Sequence, residues 1–302
     1  MRLLLVANVR ASSVTPRKIR FIHRALSSQA DTDLVRTQRH GHGVELAGKA
    51  VADGYDVVAV LGGDGTINEV ANGLAGTDVP LGVIPGGGTN VFARALGIPR
   101  DPVRAAGHLL ALLHAPPRRI NLGRAEGRYF VFTCGLGLDG AIVRRVERRQ
   151  MLKRAAGHGY FVWSAFRELL AMDRRHPKVH ARWGPELEHG RDGLFLAISQ
   201  KGRPFTYLLS RPMHLCPEAD FRGGIDLFAA DRLGFAFVLK TVAATFGSHH
   251  HVRDRHVLVL HDQERVEVTC DEPQPAQMDG EYLGLRDRLS LEVARDALAV
   301  LA

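Results

Sequence analysis

Short apolar runs alternate with stretches of helical spacing along the first third of the chain. Residues 3–7 form an apolar run of strand length, 17–29 read as a helix and 33–37 as a short strand. Val44, Ala47 and Val51 recur at helical spacing within 44–52. Residues 55–61 return to strand, 67–74 begin a helix on Ile67, Val70, Ala71 and Leu74, and 80–84 read as a further strand. This alternation predicts a parallel sheet with helices on both faces and ligands at the carboxyl ends of its strands.

The texture changes at Pro116 and Pro117, which break any helix. Beyond them strand-like runs dominate, at 128–133, 178–183, 193–199, 225–229, 257–261, 266–270 and 289–293, with helical stretches at 158–172 and 232–246. Many short strands predict a β-sandwich-like second domain. The expected organisation is a nucleotide-binding α/β domain over 1–118, rejoined by 293–302, and a β-rich domain over 119–292.

The motif GGDGT at 62–66 lies between an apolar run and a helical face. Gly62, Gly63 and Gly65 let the backbone turn sharply and let a ligand approach its amides. N–H groups at a helix start, with the helix dipole, attract phosphate. Thr66 can cap the helix or donate to a phosphate oxygen. Asp64 would repel a bare phosphate and makes sense with a magnesium ion between them. Alone, the motif also reads as a tight strand–helix turn with Asp64 as its cap. A second strand–loop–helix, PGGGTN at 85–90, adds the amides of Gly86, Gly87 and Gly88, the Thr89 hydroxyl and the Asn90 carboxamide.

GGDGT, the PGG loop and DGE at 279–281, in that order, resemble the diacylglycerol kinase catalytic domain family. That family includes bacterial lipid kinases and sphingosine kinases, with NAD kinases and phosphofructokinases as distant relatives. Asn8 matches the asparagine of the family's first-strand loop, Thr37 a threonine that contacts nucleotide, and GLGLD at 135–139 the element that opens the lipid-side domain. The resemblance implies an NAD kinase/phosphofructokinase-like α/β domain that binds ATP with magnesium, and phosphorylation of a hydroxyl of diacylglycerol or a related lipid. The implied nucleotide-binding residues are Asn8, Thr37, Gly62, Gly63, Asp64, Gly65, Thr66, Asn68, Glu69, Gly87, Gly88, Thr89 and Asn90. Asp64 also acts on the metal, and Asp279 or Glu281 accepts the hydroxyl proton.

The chain departs from the family pattern at Val9, Ala11 and Ser12, with Ser13 and Thr15 nearby as substitute donors. In the second loop Gly88 stands at a threonine position and Val91 at an aspartate position; Asn121 replaces another aspartate. Gly223 falls where an aspartate would help hold a structural magnesium, which leaves Asp220 as the candidate ligand.

Charge sharpens the partner. The chain has 302 residues and a formal net charge of +8, which favours anionic partners. Arg144, Arg145, Arg148, Arg149, Lys153 and Arg154, against Glu147, form either a solvated helix face or a docking surface for an anionic membrane. No aromatic residues interleave with them, so nucleic acid is not expected. Tyr160, Phe161, Trp163, Phe166, Leu169 and Leu170 read as a core-packing helix face with a share of lipid contact. GLGLDG at 135–140 fits GxGxxG, but no βαβ unit closes on an acidic residue after it, so a dinucleotide site is not expected. His249, His250 and His251 read as an exposed loop rather than a metal site. Cys134, Cys216 and Cys270 match no zinc or disulfide pattern. The N-terminal apolar run is too short for a leader, and no apolar run reaches spanning length. The expectation is therefore a cytoplasmic protein in peripheral contact with membranes. The alternatives are a catalytically silent lipid- or nucleotide-binding relative and a small-molecule kinase of the NAD type.

Overall fold

β1 (Arg2–Ala7) buries every residue from Leu3 on, as a strand covered on both faces does. It lies between β2 (Asp31–Arg36) and β3 (Val57–Gly62), both parallel to it, and β4 (Leu81–Pro85) extends the parallel order beyond β3. The computed structural model describes residues 1–148, 150–208 and 210–302. They divide into one unit of 1–122 with 294–302 and a second of 123–293.

Local signals set the helices of the first unit. α1 (Pro16–Leu26) starts at Thr15, whose hydroxyl accepts from Lys18 N, with proline in its first turn, and it buries Ile19, Ile22 and Leu26. α2 (His42–Ala52) and α3 (Asp64–Leu74) complete the crossovers between β2, β3 and β4. After β4 come a short α4 (Val91–Ala95) and α5 (Pro102–Leu112), which the hydrophobic pattern does not reveal. α5 is capped by Asp101, which accepts from Val103 N and Arg104 N at 3.0 Å each.

The second unit is antiparallel. β5 (Arg118–Ala125) leads into it and pairs with β6 (Arg128–Phe130). β7 (Thr133–Gly137) pairs with β10 (Leu196–Gln200), and β10 with β13 (Ile225–Ala230). β14 (Val257–Gln263) closes that edge; β11 (Thr206–Leu208) and β12 (Arg211–Met213) form a separate hairpin. β15 (Arg265–Met278) serves two neighbours. Its residues 266–270 pair with β8 (Val179–Trp183), itself paired with β9 (His189–Leu194), and 276–278 pair with β7. A register shift between Thr269 and Gln274, against β16 (Glu281–Leu301), separates the halves. Val266 and Val268 from one half and Ala276 and Met278 from the other enter one buried cluster with Leu136, Ala197 and Leu227. β16 ends in the first unit, where Val300 and Leu301 pair in parallel with Leu81 and Gly82.

Alternate residues of β10 face another way: Leu196 and Ile198 join Leu138, Phe195 and Phe228 in a second cluster. α6 (Leu138–Glu147), α7 (Gln150–Ala171) and α8 (Phe235–Ala244) contribute to it through Leu138, Leu169, Phe237 and Val238. The glycine stretch at 135–137 thus lies in strand β7, and α6 begins at Leu138.

Two expectations change here. On α7 only Tyr160 and Leu169 of the aromatic-rich set are buried; Phe161, Trp163, Phe166 and Leu170 are 40%, 44%, 43% and 49% exposed. Together with Phe235 and Leu239 of α8 they make an outward apolar face, with the Phe166 and Phe235 rings edge-on at 5.9 Å. The histidines are not one exposed loop either. His250 is exposed, but His251 is buried and its Nε2 donates to the Leu215 carbonyl at 2.9 Å. Of the basic stretch, Arg149 lies outside the described residues, as do the side chains of Lys153 and Arg154. No described helix is long and apolar enough to cross a membrane.

Candidate active site

β1, β3 and β4 release three loops that backbone bonds tie together. Asn8 N donates to Leu61 O at 2.9 Å, Gly86 N to Gly62 O at 2.6 Å and Ser13 N to Gly86 O at 2.9 Å. The glycine loops approach too closely for side chains. A Cβ on Gly87 would lie 2.8 Å from Gly63 Cα, and one on Gly86 would lie 2.5 Å from Val14 Cγ2. At Gly65 and Gly88, by contrast, a Cβ would meet nothing within 4 Å. One pair of glycines permits the packing, and the other leaves the cradle open to a ligand. Asn8 Nδ2 donates to the buried Thr66 hydroxyl at 2.8 Å, and Thr37 N donates to Ala7 O at 3.0 Å.

Several polar side chains of the motifs hold the frame of this cradle. Asp64 Oδ1 accepts from Phe92 N at 3.1 Å, and the nearby amides of Val91 and Asn90 also favour its charged form. Burial raises the Asp64 pKa, and those amides act in the opposite direction. Glu69 accepts from Gly41 N and Gly43 N at 2.9 Å each and so caps α2. Asn90, in the left-handed region at φ 50°, donates to Gly87 O at 2.7 Å and accepts from Gly87 N at 2.8 Å, closing its own loop. Asn68 is buried and accepts from Asn72. Thr15 caps α1, and Asn121 Oδ1 accepts from Asp296 N at 2.8 Å, holding the returning tail. The open positions are Gly65 and Gly88, with Thr89 half-buried beside them.

In the second unit the DGE turn joins β15 to β16. Asp279 sits at φ 48°; its Oδ2 accepts from Val131 N at 2.7 Å and its Oδ1 from Phe132 N and Thr133 N at 2.8 and 2.9 Å. Three amides thus engage this carboxylate. Glu281 is a third exposed and accepts from Arg128 Nη2 at 2.9 Å. α6 is fastened to the turn at both ends. Gln277 Nε2 donates to Asp139 Oδ2 at 2.6 Å near its start, and Tyr282 N donates to Glu147 Oε1 at 3.1 Å near its end. Burial pushes the Asp139 pKa up to about 6, against the pull of the Gln277 bond. The glycines of GLGLDG serve this packing. A Cβ on Gly135 would lie 2.5 Å from Asp139 Oδ2, and one on Gly140 would lie 2.2 Å from Pro275 O.

Neither implied metal position is a cage. Among the described residues no group of three or more His, Cys, Asp or Glu comes together in a way that could hold an ion. At the glycine loops the donor set is Asp64, which fits a magnesium ion carried mainly by phosphates and water. The loop at 217–224 does not fit one. Asp220 is exposed and accepts from Arg222 N at 2.6 Å. The carbonyls of Gly223 and Gly224 accept from the ammonium of the buried Lys201 at 2.5 Å each. A protein cation thus holds the backbone of the loop in which Asp220 was the candidate metal ligand. Nothing local in the sequence marks Lys201 beyond its place at the end of a strand; Arg128, Gln277 and Glu147 are equally silent there.

Known proteins resemble this chain along most of its length. The family model of the diacylglycerol kinase catalytic domain matches residues 2–125. "Diacylglycerol kinase" of Bacillus subtilis (strain 168) is 31% identical over 258 residues, covering 84% of this chain and 80% of the relative. "Probable lipid kinase YegS-like" of Pseudomonas putida is 30% identical over 195 residues, 64% of this chain and 61% of the relative. A diacylglycerol kinase crystal structure from Bacillus anthracis str. Sterne shares the fold, with a TM-score of 0.73 at 19% identity over 99% of this chain and 96% of that one.

Proposed function

This chain belongs to the diacylglycerol kinase family and is a lipid kinase; from that premise we propose that it transfers the terminal phosphoryl group of ATP to a hydroxyl of diacylglycerol or a related lipid. The observation that carries this reading is the cradle of the first unit. Its glycine loops touch backbone to backbone while Gly65 and Gly88 stay open. The triphosphate rests there against loop amides and the α3 N-terminus, whose dipole favours negative charge. Magnesium, when bound with the nucleotide, neutralises phosphate charge, and Asp64 is the carboxylate of this chain that would hold it, directly or through water.

The second unit supplies the base, and we assign that role to Glu281. It lies in the same turn as Asp279 but is a third exposed, whereas Asp279 is engaged by three amides. Asp279 positions the turn. A base aligned on the acceptor hydroxyl contributes about 10²–10⁴-fold.

The lipid reaches the enzyme at a membrane surface on the cytoplasmic side. The outward apolar face of α7 and α8 is flanked by Arg167, Arg174 and Arg175, all exposed, and by the arginines of α6. Apolar side chains enter the headgroup boundary while each cation adds about 1 kcal/mol near an anionic leaflet before screening.

Incubation with radiolabelled ATP, magnesium and a mixed lipid extract tests the reading. A labelled lipid is the expected product. ATP binding with no labelled product indicates a silent relative. Labelled NADP on addition of NAD, with no labelled lipid, reassigns the acceptor to a small molecule.

A further inference from the structure

A cavity of about 560 Å³ opens beside α6 in the second unit. Its volume falls in the range that takes an organic ligand of drug size, well above the need of a bare inorganic ion. Part of its wall is apolar, through Leu138, Met172, Pro275 and Leu285. The rest is cationic, through Arg144, Arg145 and Arg148, with Glu168 as the one acid among the described lining residues.

The three arginines are not equivalent. Arg145 Nε donates to Glu168 Oε1 at 2.5 Å, so that charge is balanced within the wall. Arg144 on α6 and Arg148, the C-cap residue of that helix, are four residues apart and pair with no described carboxylate. Like charges at this spacing repel by a few tenths of a kcal/mol, and a shared anion removes the repulsion. Guanidinium forks match phosphate oxygens in pairs, which makes phosphate the fitting anion. The apolar wall then requires a ligand with a hydrocarbon portion next to its phosphate.

We propose that this cavity binds an anionic phospholipid by its headgroup, with the phosphate on Arg144 and Arg148 and the glycerol end of the chains against Leu138, Met172 and Pro275. α7 lines the cavity with Glu168 and Ala171, and Met172 follows directly, while Phe166 and Leu170 of the same helix face outward. A lipid can therefore keep its tails with the membrane while its headgroup enters. Because α6 is fastened at both ends to the turn that carries Glu281, an occupant bears on the position of that turn. The binding itself needs no phosphoryl transfer, so it and the kinase reading fail separately.

The test is calorimetric titration of the full chain with monomeric dihexanoyl phosphatidylglycerol, dihexanoyl phosphatidylcholine and inorganic phosphate. The glycerol lipid is expected to bind at least about tenfold more tightly than either of the others, a difference of about 1.4 kcal/mol. The double variant Arg144→Gln/Arg148→Gln should lose that preference, whereas Arg174→Gln/Arg175→Gln, outside the lining, should keep it. Equal affinity for the choline lipid overturns the proposal on the unmodified protein, with no variant needed. Inorganic phosphate binding as tightly as the lipid reduces the site to an ion site and overturns it too. Equal loss in both double variants assigns the binding to diffuse charge and does the same.

Discussion

In the first unit, Asp64 and Glu69 give their carboxylates to the N–H groups that open α4 and α2, and what remains open to a ligand is backbone at Gly65 and Gly88. In the second unit, Asp279 likewise gives its carboxylate to Val131, Phe132 and Thr133, but what remains accessible is a side chain, Glu281. Glu69 and Asp279 are fasteners, Asp64 combines its bond from Phe92 N with its proposed part in holding magnesium, and Glu281 carries the proposed base chemistry. How accessible a motif carboxylate stays, as Glu281 does at a third exposed beside Arg128, is a property of its neighbours.

Substitutions test this contrast. The largest effect is expected from Glu281→Gln, which keeps the shape and removes the base. Turnover should fall by about 10²–10⁴-fold with ATP affinity and melting temperature unchanged. A parallel loss of ATP binding would return Glu281 to the fasteners. Asp279→Ala should act through the fold instead. Three amides of buried residues lose their acceptor, and urea denaturation should show a loss of about 3 kcal/mol, since each orphaned donor costs roughly 1–3 kcal/mol and water recovers part of it. An unchanged urea midpoint would make Asp279 a chemical residue after all.

Asp139→Asn probes how α6 is held to the DGE turn. The folded protein binds the Asp139 proton more tightly than the unfolded chain, with the pKa raised from 3.8 to about 6. The neutral form's contribution to stability is complete below the lower value and is lost as pH rises through the upper one. The variant should match the parent near pH 4 and exceed it above pH 6, by up to about 3 kcal/mol for a shift of this size. A constant difference across pH would remove Asp139 as the cause. Smallest is the glycine pair. Gly87→Ala forces a Cβ to within 2.8 Å of Gly63 Cα and should lower stability by about 1–3 kcal/mol as overpacking does. Gly88→Ala should leave the melting temperature alone and weaken ATP binding. Equal melting temperatures for both would show that the loops do not need their close approach.

Much of the architecture is legible along the chain. The alternation of apolar runs and helical faces marks β1 through β4 because each strand is buried on both sides and each crossover helix on one. α5 is missed by periodicity, although Asp101 before Pro102 is a cap-and-first-turn signal. The strand β7 is hidden because its glycines mimic a loop; Gly135 is there for Asp139 and Gly137 for the backbone at Phe195. The aromatic stripe of α7 looks like core because a sequence shows that a face is apolar without showing what covers it.

Local chemistry in the sequence determined the parallel strand–helix order, the glycine loops at strand ends and the family to which the chain belongs, since each rests on neighbours a few residues apart. Tertiary structure alone decided which motif residues are fasteners and which are open. Asp64 meets an amide 28 positions away, Asp279 meets Val131 across 148, and Lys201 meets Gly223 across 22. Hydrogen-bond donors brought together over such separations are set by the packing of whole strands and helices, and no spacing within a motif encodes them.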